Sequence, residues 1–217
     1  RPNTGKTSSH ASLCAGPGGF IEQGARVMVL ANEERATRVA GRYLTACCGM
    51  SLDEIRKNKS QAEKRIALLK DNLFISDATS WDMDRLEGAV KAYKPDILMA
   101  DKFLPGGVFT AGHEQLKATY IRLRIVGKEY NTAIFAMSQL SAEAEGKVNA
   151  SMSMLEGSKT GKASEADLLI CITSNPMFEG QDDEDWTRHW CVVKNKLTGR
   201  HGKVSTILDP LTARYEA

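Results

Sequence analysis

Several features are missing from this chain, and each absence removes a class of protein. No stretch approaches the roughly 20 apolar residues that a membrane-spanning helix needs, so none is expected within it. Charge of one sign is also lacking: 29 Lys and Arg stand against 27 Asp and Glu, a formal +2. A strongly basic nucleic-acid surface is therefore not visible in bulk, and any such contact has to come from local clusters. The five cysteines form no C-x-x-C pair and no metal-ligand spacing, and Cys47 and Cys48 are adjacent within a helical pattern. Buried free thiols in a reducing cytosol fit that usage, and the N-x-[ST] sequons at Asn58 and Asn149 are then chance matches. His189 and Cys191 alternate along a strand without a second pair, so no metal site is read there. No internal repeat occurs. The chain opens on Arg rather than Met, so it says nothing about a targeting signal.

What is present is ordinary in bulk and specific in detail. The 217 residues, 42% hydrophobic and 26% charged, suit one globular domain spanning 1–217. The chain begins "RPNTGKTSS", in which Gly5, Lys6 and Thr7 hold the last three places of G-x-x-x-x-G-K-[ST]. We read it as a fragment starting inside a phosphate-binding loop. Apolar runs and amphipathic stretches then alternate. Short strands are expected at Ala25–Asn32, Leu73–Ser76, Asp96–Ala100 and Ala133–Gln139. Helices are expected over Lys6–Cys14, from Glu33 to Met50, from a capping box at Ser51–Glu54, from near Ser80 to Pro95, and over Glu114–Tyr130. After a polar stretch, Ser141 to Lys162, come "ADLLICI", "HWCVVKN", "GKVSTILD" and "ARYEA". This order predicts an α/β fold: a mostly parallel, helix-covered sheet with antiparallel strands at the C-terminal edge. The Ser141–Lys162 stretch is too long for an ordinary connection and reads as a functional or mobile loop.

The chemistry follows from phosphate. Backbone N–H groups of Asn3, Thr4, Gly5, Lys6, Thr7 and Ser8 would face a nucleotide's phosphates, helped by the positive end of the helix that follows. Lys6 would reach the β- and γ-phosphates and the Thr7 hydroxyl would ligate Mg²⁺. "PDILMAD" supplies Asp101 at the end of an apolar strand, where a Mg²⁺-holding carboxylate belongs. Glu33 and Glu34 follow the first strand, so one can orient an attacking water while the other favours the helix dipole. Gln139 ends the fourth strand and is placed to sense a γ-phosphate.

Taken in order, these motifs resemble the RecA-like P-loop ATPase core of DnaB-like hexameric replicative helicases of bacteria and phages. "RPNTGKT" looks like that family's phosphate loop, "LANEER" like the strand end carrying its catalytic acid, and "ILMAD" like its Mg²⁺ strand. "MSQL" is similar to the strand with its Gln sensor, "EADLLICI" to the strand after its DNA-binding loop, and "VVKNKLTGRHGKV" to its closing hairpin. The resemblance implies ATP and Mg²⁺ as ligands, Glu33 as the catalytic acid, and a homo-hexamer with ATP at subunit interfaces. It also implies single-stranded DNA in the channel, a primase or primase-binding part alongside, and a cytoplasmic setting away from membranes. Where the family has Lys-x-Arg in the hairpin, this chain has Lys194-Asn195-Lys196, which leaves Lys196, Lys194 or Arg200 for the finger role. Where the family's DNA-binding loop has Arg and small residues, this chain has Gly157, Ser158, Lys159, Thr160, Gly161 and Lys162. Lys side chains and exposed N–H groups there would follow phosphates without reading bases, and few aromatics stand nearby to stack them. The expected activity is that of an ATP-dependent DNA helicase. The alternatives are a filament-forming recombinase or repair ATPase of the same fold, and a RecA-like regulatory ATPase that binds no DNA.

Overall fold

The computed structural model describes residues 5–102, 113–144, 147–155, 161–176 and 185–216. Chain order alternates strand and helix as expected. Helix α1 (Lys6–Ala15) leads to β1 (Val27–Ala31), then α2 (Ala36–Cys48), α3 (Leu52–Lys57), α4 (Lys59–Lys70) and β2 (Leu73–Asp77). Helix α5 (Met83–Tyr93), β3 (Ile97–Asp101), α6 (His113–Glu129) and β4 (Ala133–Met137) follow. After two 3₁₀ turns, α7 (Gly161–Glu165) precedes β5 (Leu168–Ser174), β6 (Thr187–Asn195), β7 (Gly202–Asp209) and β8 (Arg214–Glu216).

Local chemistry sets the helix ends. Ser51 and Glu54 form the expected capping box: the Ser51 hydroxyl accepts from the Glu54 N–H at 3.3 Å and the Glu54 carboxylate accepts from the Ser51 N–H at 2.8 Å. Asp82 caps α5 by accepting from the Arg85 N–H at 2.8 Å, so that helix begins three residues after Ser80. Lys94, left-handed at φ 52, ends it just before Pro95. Residues 33 and 34 lie in a bend before α2 rather than in the helix, which frees both acids to turn toward the phosphate loop.

Strands β1 to β4 make one parallel sheet in the order β2-β1-β3-β4. The central strands β1 and β3 are buried at every position, which explains their unbroken apolar runs. Side chains alternate between two helical layers. Val27, Val29, Ala31, Ile97 and Met99 pack with α1, α2 and α4 through Ala11, Cys14, Val39, Tyr43 and Leu69. Met28, Leu30, Leu98 and Ala100 pack with α5 and α6 through Leu86, Val90, Leu123 and Val126. The same parity puts Asp101, two after Met99, on the α1 side.

The four C-terminal strands, expected as antiparallel additions, form an antiparallel sheet in the order β5-β6-β7-β8. Tyr215 fastens this sheet to α1, its N–H donating to the Ser12 hydroxyl at 3.1 Å. The Arg214 guanidinium donates to the Ala46 and Cys47 carbonyls at 2.8 and 3.2 Å, capping the end of α2. The stretch read as one long loop is partly structured. Leu140 bridges Leu155, the Ser141 N–H donates to the Met154 carbonyl at 2.7 Å, and Gly161 and Lys162 begin α7. All five cysteines are free. Burial lifts the Cys14 thiol to about 12 and the Cys47 and Cys171 thiols to about 11, so they are inert apolar fillers.

Candidate nucleotide site and the basic hairpin

The sheet order places a topological switch between β1 and β3, because the chain runs from β1 to one side through β2 and returns on the other side as β3. Ligands of such sheets gather at the carboxyl ends of the strands beside that switch. Glu33, Glu34, Asp101 and Gln139 all lie at that edge, and α1 starts there with Lys6 and Thr7.

Gly5 opens α1 in a left-handed conformation, φ 89, that favours glycine. It also has no room for a side chain: a Cβ would stand 2.3 Å from the Tyr215 hydroxyl and 2.9 Å from Leu208. That hydroxyl donates to the Gly5 carbonyl at 3.0 Å, so β8 holds the loop from behind. No acidic residue and no side-chain cap occupy the first turn of α1, which leaves its N–H groups open to an anion. Ser8 continues that turn, and the Ser9 hydroxyl donates to the Lys6 carbonyl at 2.6 Å. Asn3 and Thr4 lie outside the described residues.

The two adjacent acids take different partners. Glu33 accepts from the Lys6 ammonium at 3.3 Å through one oxygen and from the Gln139 amide at 2.9 Å through the other. Glu34 meets the Thr7 hydroxyl at 3.4 Å, and one Arg42 nitrogen lies 2.9 Å from each of its oxygens. Arg38 adds a looser contact at 3.8 Å. Arg42 was not singled out from the sequence, although Arg38 and Arg42 recur at the four-residue spacing that puts side chains on one face of α2, just after Glu34.

Asp101 is 1% exposed, and neither of its oxygens has a hydrogen-bond partner among the described residues. Burial raises its carboxyl to about 6, opposed by Lys6 and reinforced by Glu33 and Glu34. A buried carboxylate with both oxygens free, at the sheet edge where α1 begins with Lys6 and Thr7, suits a hard divalent cation that brings its own waters and substrate phosphates. The residues therefore fit Mg²⁺. His10, fully buried one turn below Lys6, pairs with the Tyr43 hydroxyl at 2.9 Å. Burial, with Arg42 and Lys6, lowers it to about 3, so it stays neutral beneath the loop. Sequence pattern offered no signal for this pair.

The hairpin lysines lie elsewhere in this chain. The Lys194 ammonium donates to the Ala163 carbonyl, and to Ser164 at 3.5 Å. The Lys196 ammonium reaches the Ser164 carbonyl at 3.2 Å and the Asp167 carboxylate at 3.7 Å. Both thus cap the C-terminal end of α7, where cations are favoured. Burial and the neighbouring Lys196 charge lower the Lys194 ammonium. Arg200 is exposed at the hairpin tip, with its carbonyl accepting from Asn195 at 2.9 Å. Of the basic-loop residues, Gly157, Ser158, Lys159 and Thr160 lie outside the described residues, while Gly161 and Lys162 form the first turn of α7.

Among solved structures, the ATPase domain of another protein is similar over 100% of this chain and 81% of its own, at 16% identity and a TM-score of 0.80. A DnaB-like replicative helicase, described with its interactions with primase, is similar at 16% identity and a TM-score of 0.80, and this chain spans 55% of its length. At that identity the likeness speaks for the fold. No curated protein matches. The profile of the DnaB-like helicase C-terminal domain family matches residues 1–217. Because that match takes in the phosphate loop at one end and β8 at the other, the chain belongs to the DnaB-like helicase C-terminal domain family, a family of ATP-dependent DNA helicases.

Proposed function

We propose that this chain is the motor of a homo-hexameric replicative helicase that advances along single-stranded DNA in the cytoplasm. ATP binds with its phosphates over the first turn of α1, contacted by Lys6 and by backbone N–H groups from Asn3 to Ser8. Thr7 and Asp101 hold Mg²⁺, which draws charge from the phosphates when bound. Glu33 orients the attacking water. On nucleotide entry Lys6 exchanges the Glu33 carboxylate for phosphate, and Gln139 is released toward the γ-phosphate. Lys194, Lys196 or Arg200 serves the neighbouring subunit's site as a charge that stabilises phosphoryl transfer.

One observation carries the coupling to DNA: the segment from Gly157 to Lys162 is anchored at both ends to this machinery. Before it, Leu155 bridges Leu140, the neighbour of the Gln139 that bonds Glu33. After it, α7 ends on the ammonium groups of Lys194 and Lys196. A shift of Gln139 or of the hairpin would thereby reach the residues that flank Lys159 and Lys162, whose charges follow DNA phosphates in this reading. A solved DnaB-like relative interacts with primase, and we extend a primase partner to this protein on that likeness.

Steady-state ATP hydrolysis with and without single-stranded DNA, together with mass under the same conditions, tests this reading. Strong stimulation in a closed hexamer, lost on neutralising Lys159 and Lys162, is the expected result. Filaments on DNA would indicate a recombinase, and hydrolysis indifferent to DNA would indicate a regulatory ATPase.

A further inference from the structure

A hydroxyl that ligates a metal through its oxygen must send its own hydrogen elsewhere, because lone pairs and hydrogen point in different directions. The Thr7 hydroxyl does so: it donates to Glu34 at 3.4 Å. It does not bond Asp101, whose two oxygens are without partners among the described residues. The acceptor is itself held. One Arg42 nitrogen sits 2.9 Å from both Glu34 oxygens, Arg38 stands 3.8 Å away, and the Glu34 side chain is 21% exposed against 36% for Glu33. The less accessible acid is thus pinned on the hydroxyl, and the more accessible one faces Lys6 and Gln139.

We infer that Glu34, clamped by Arg42, is a positioning residue for the metal site: it accepts the Thr7 hydrogen so that the Thr7 oxygen presents its lone pairs to Mg²⁺. This rests on the reading of Thr7 as a metal ligand. The tandem Glu33-Glu34 then divides two tasks. Glu33 acts on water, and Glu34 orients a ligand it never shares with the metal. Arg42 has a defined part as well. A carboxylate with no counter-cation would be drawn to Mg²⁺ directly, and the guanidinium holds it one bond away.

Titration of the full chain with ADP, once with Mg²⁺ and once with EDTA, separates this role from a general structural one. Glu34→Ala is expected to weaken ADP binding in Mg²⁺ by about tenfold, the scale of one charge-assisted hydrogen bond, and to leave binding in EDTA unchanged. Glu34→Gln keeps an acceptor oxygen and should recover most of that loss. The double variant with Thr7→Val should be no weaker than Thr7→Val alone, because both act through one hydroxyl. If Glu34→Ala does not fold, Arg42→Met, which removes the cation that holds both Glu34 oxygens, should show a smaller loss again confined to Mg²⁺. Equal weakening in Mg²⁺ and EDTA would overturn the proposal, as would a Glu34→Ala protein that binds Mg²⁺-ADP normally yet no longer hydrolyses ATP. A Thr7→Val protein that keeps the full Mg²⁺ effect would remove Thr7 as a ligand, and the proposal with it.

Discussion

Gln139 donates its side-chain amide to Glu33 at 2.9 Å, joining the end of β4 to the bend after β1 across a sequence separation of 106 residues. The other Glu33 oxygen holds Lys6 at 3.3 Å, so a phosphate-loop lysine and a strand-end amide converge on one carboxylate.

That convergence sets the first prediction. Glu33→Gln removes the group that orients water and also frees Lys6 from its ion pair. Hydrolysis is expected to fall by about 10²- to 10⁴-fold, while nucleotide binding holds or tightens. Single-turnover hydrolysis and equilibrium nucleotide binding on the same preparation measure the two effects. Weaker binding with unaltered turnover would contradict the assignment.

Gly5 supports a second prediction. Gly5→Ala must place a Cβ 2.3 Å from the Tyr215 hydroxyl in a backbone region with φ 89, so β8 or the loop has to move. Nucleotide affinity should drop by at least about tenfold, with a stability loss of roughly 1–3 kcal/mol. Tyr215→Phe removes only the hydrogen bond to the Gly5 carbonyl and should cost about 1 kcal/mol. Thermal unfolding with and without nucleotide distinguishes the two variants.

Asp101 gives a dependence on pH. Burial raises its folded value from the ordinary 3.8 to about 6, so the native state holds a proton that the unfolded chain has already released. Its contribution is therefore fully present below pH 4 and lost as pH rises through about 6. In metal-free protein at pH 8 the charged form costs about 3 kcal/mol, and Asp101→Asn should raise the melting temperature by several degrees there but hardly at pH 4. Mg²⁺ needs the deprotonated carboxylate, so the Mg²⁺-dependent part of nucleotide binding should fade below pH 6 in the unsubstituted protein. A metal effect that persists at pH 5 would count against Asp101 as a ligand.

The hairpin lysines yield the fourth. Lys194→Ala and Lys196→Ala should lower DNA-stimulated hydrolysis by about tenfold to a hundredfold, less than the loss of an arginine finger because an ammonium lacks the planar fork. Each also loses a cation at the end of α7, worth at most about 1 kcal/mol. Mixing either variant with Glu33→Gln protein tests action across subunits. Activity regained in mixed rings supports it, and activity no greater than the sum of the parts opposes it.

Much of this was legible in residue order. The buried strands β1 and β3 announce themselves because a parallel strand covered on both faces needs an unbroken apolar run. Gly5-Lys6-Thr7, the capping box at Ser51 and the carboxylate after "ILMA" are short-range patterns whose physics acts within a few residues. Glu33 and Glu34 were legible as a pair with separate tasks, Glu33 as the acid by resemblance, but not the partners each would take. Their order along the chain carries no information about which turns to Lys6 and which to Thr7.

The sequence by itself therefore determined the helix and strand pattern, the α/β class and the inventory of charged groups at the carboxyl edge of the sheet, because propensity, capping and period are local. Tertiary structure alone decided the rest. Thr7 reaches Glu34 because α2 packs on α1, and Tyr215 reaches Gly5 because β8 folds back 210 residues along the chain. Lys194 and Lys196 rest on α7 because β6 runs antiparallel to β5. Those pairings depend on which surfaces exclude water from one another, and that is settled only when the whole chain is folded.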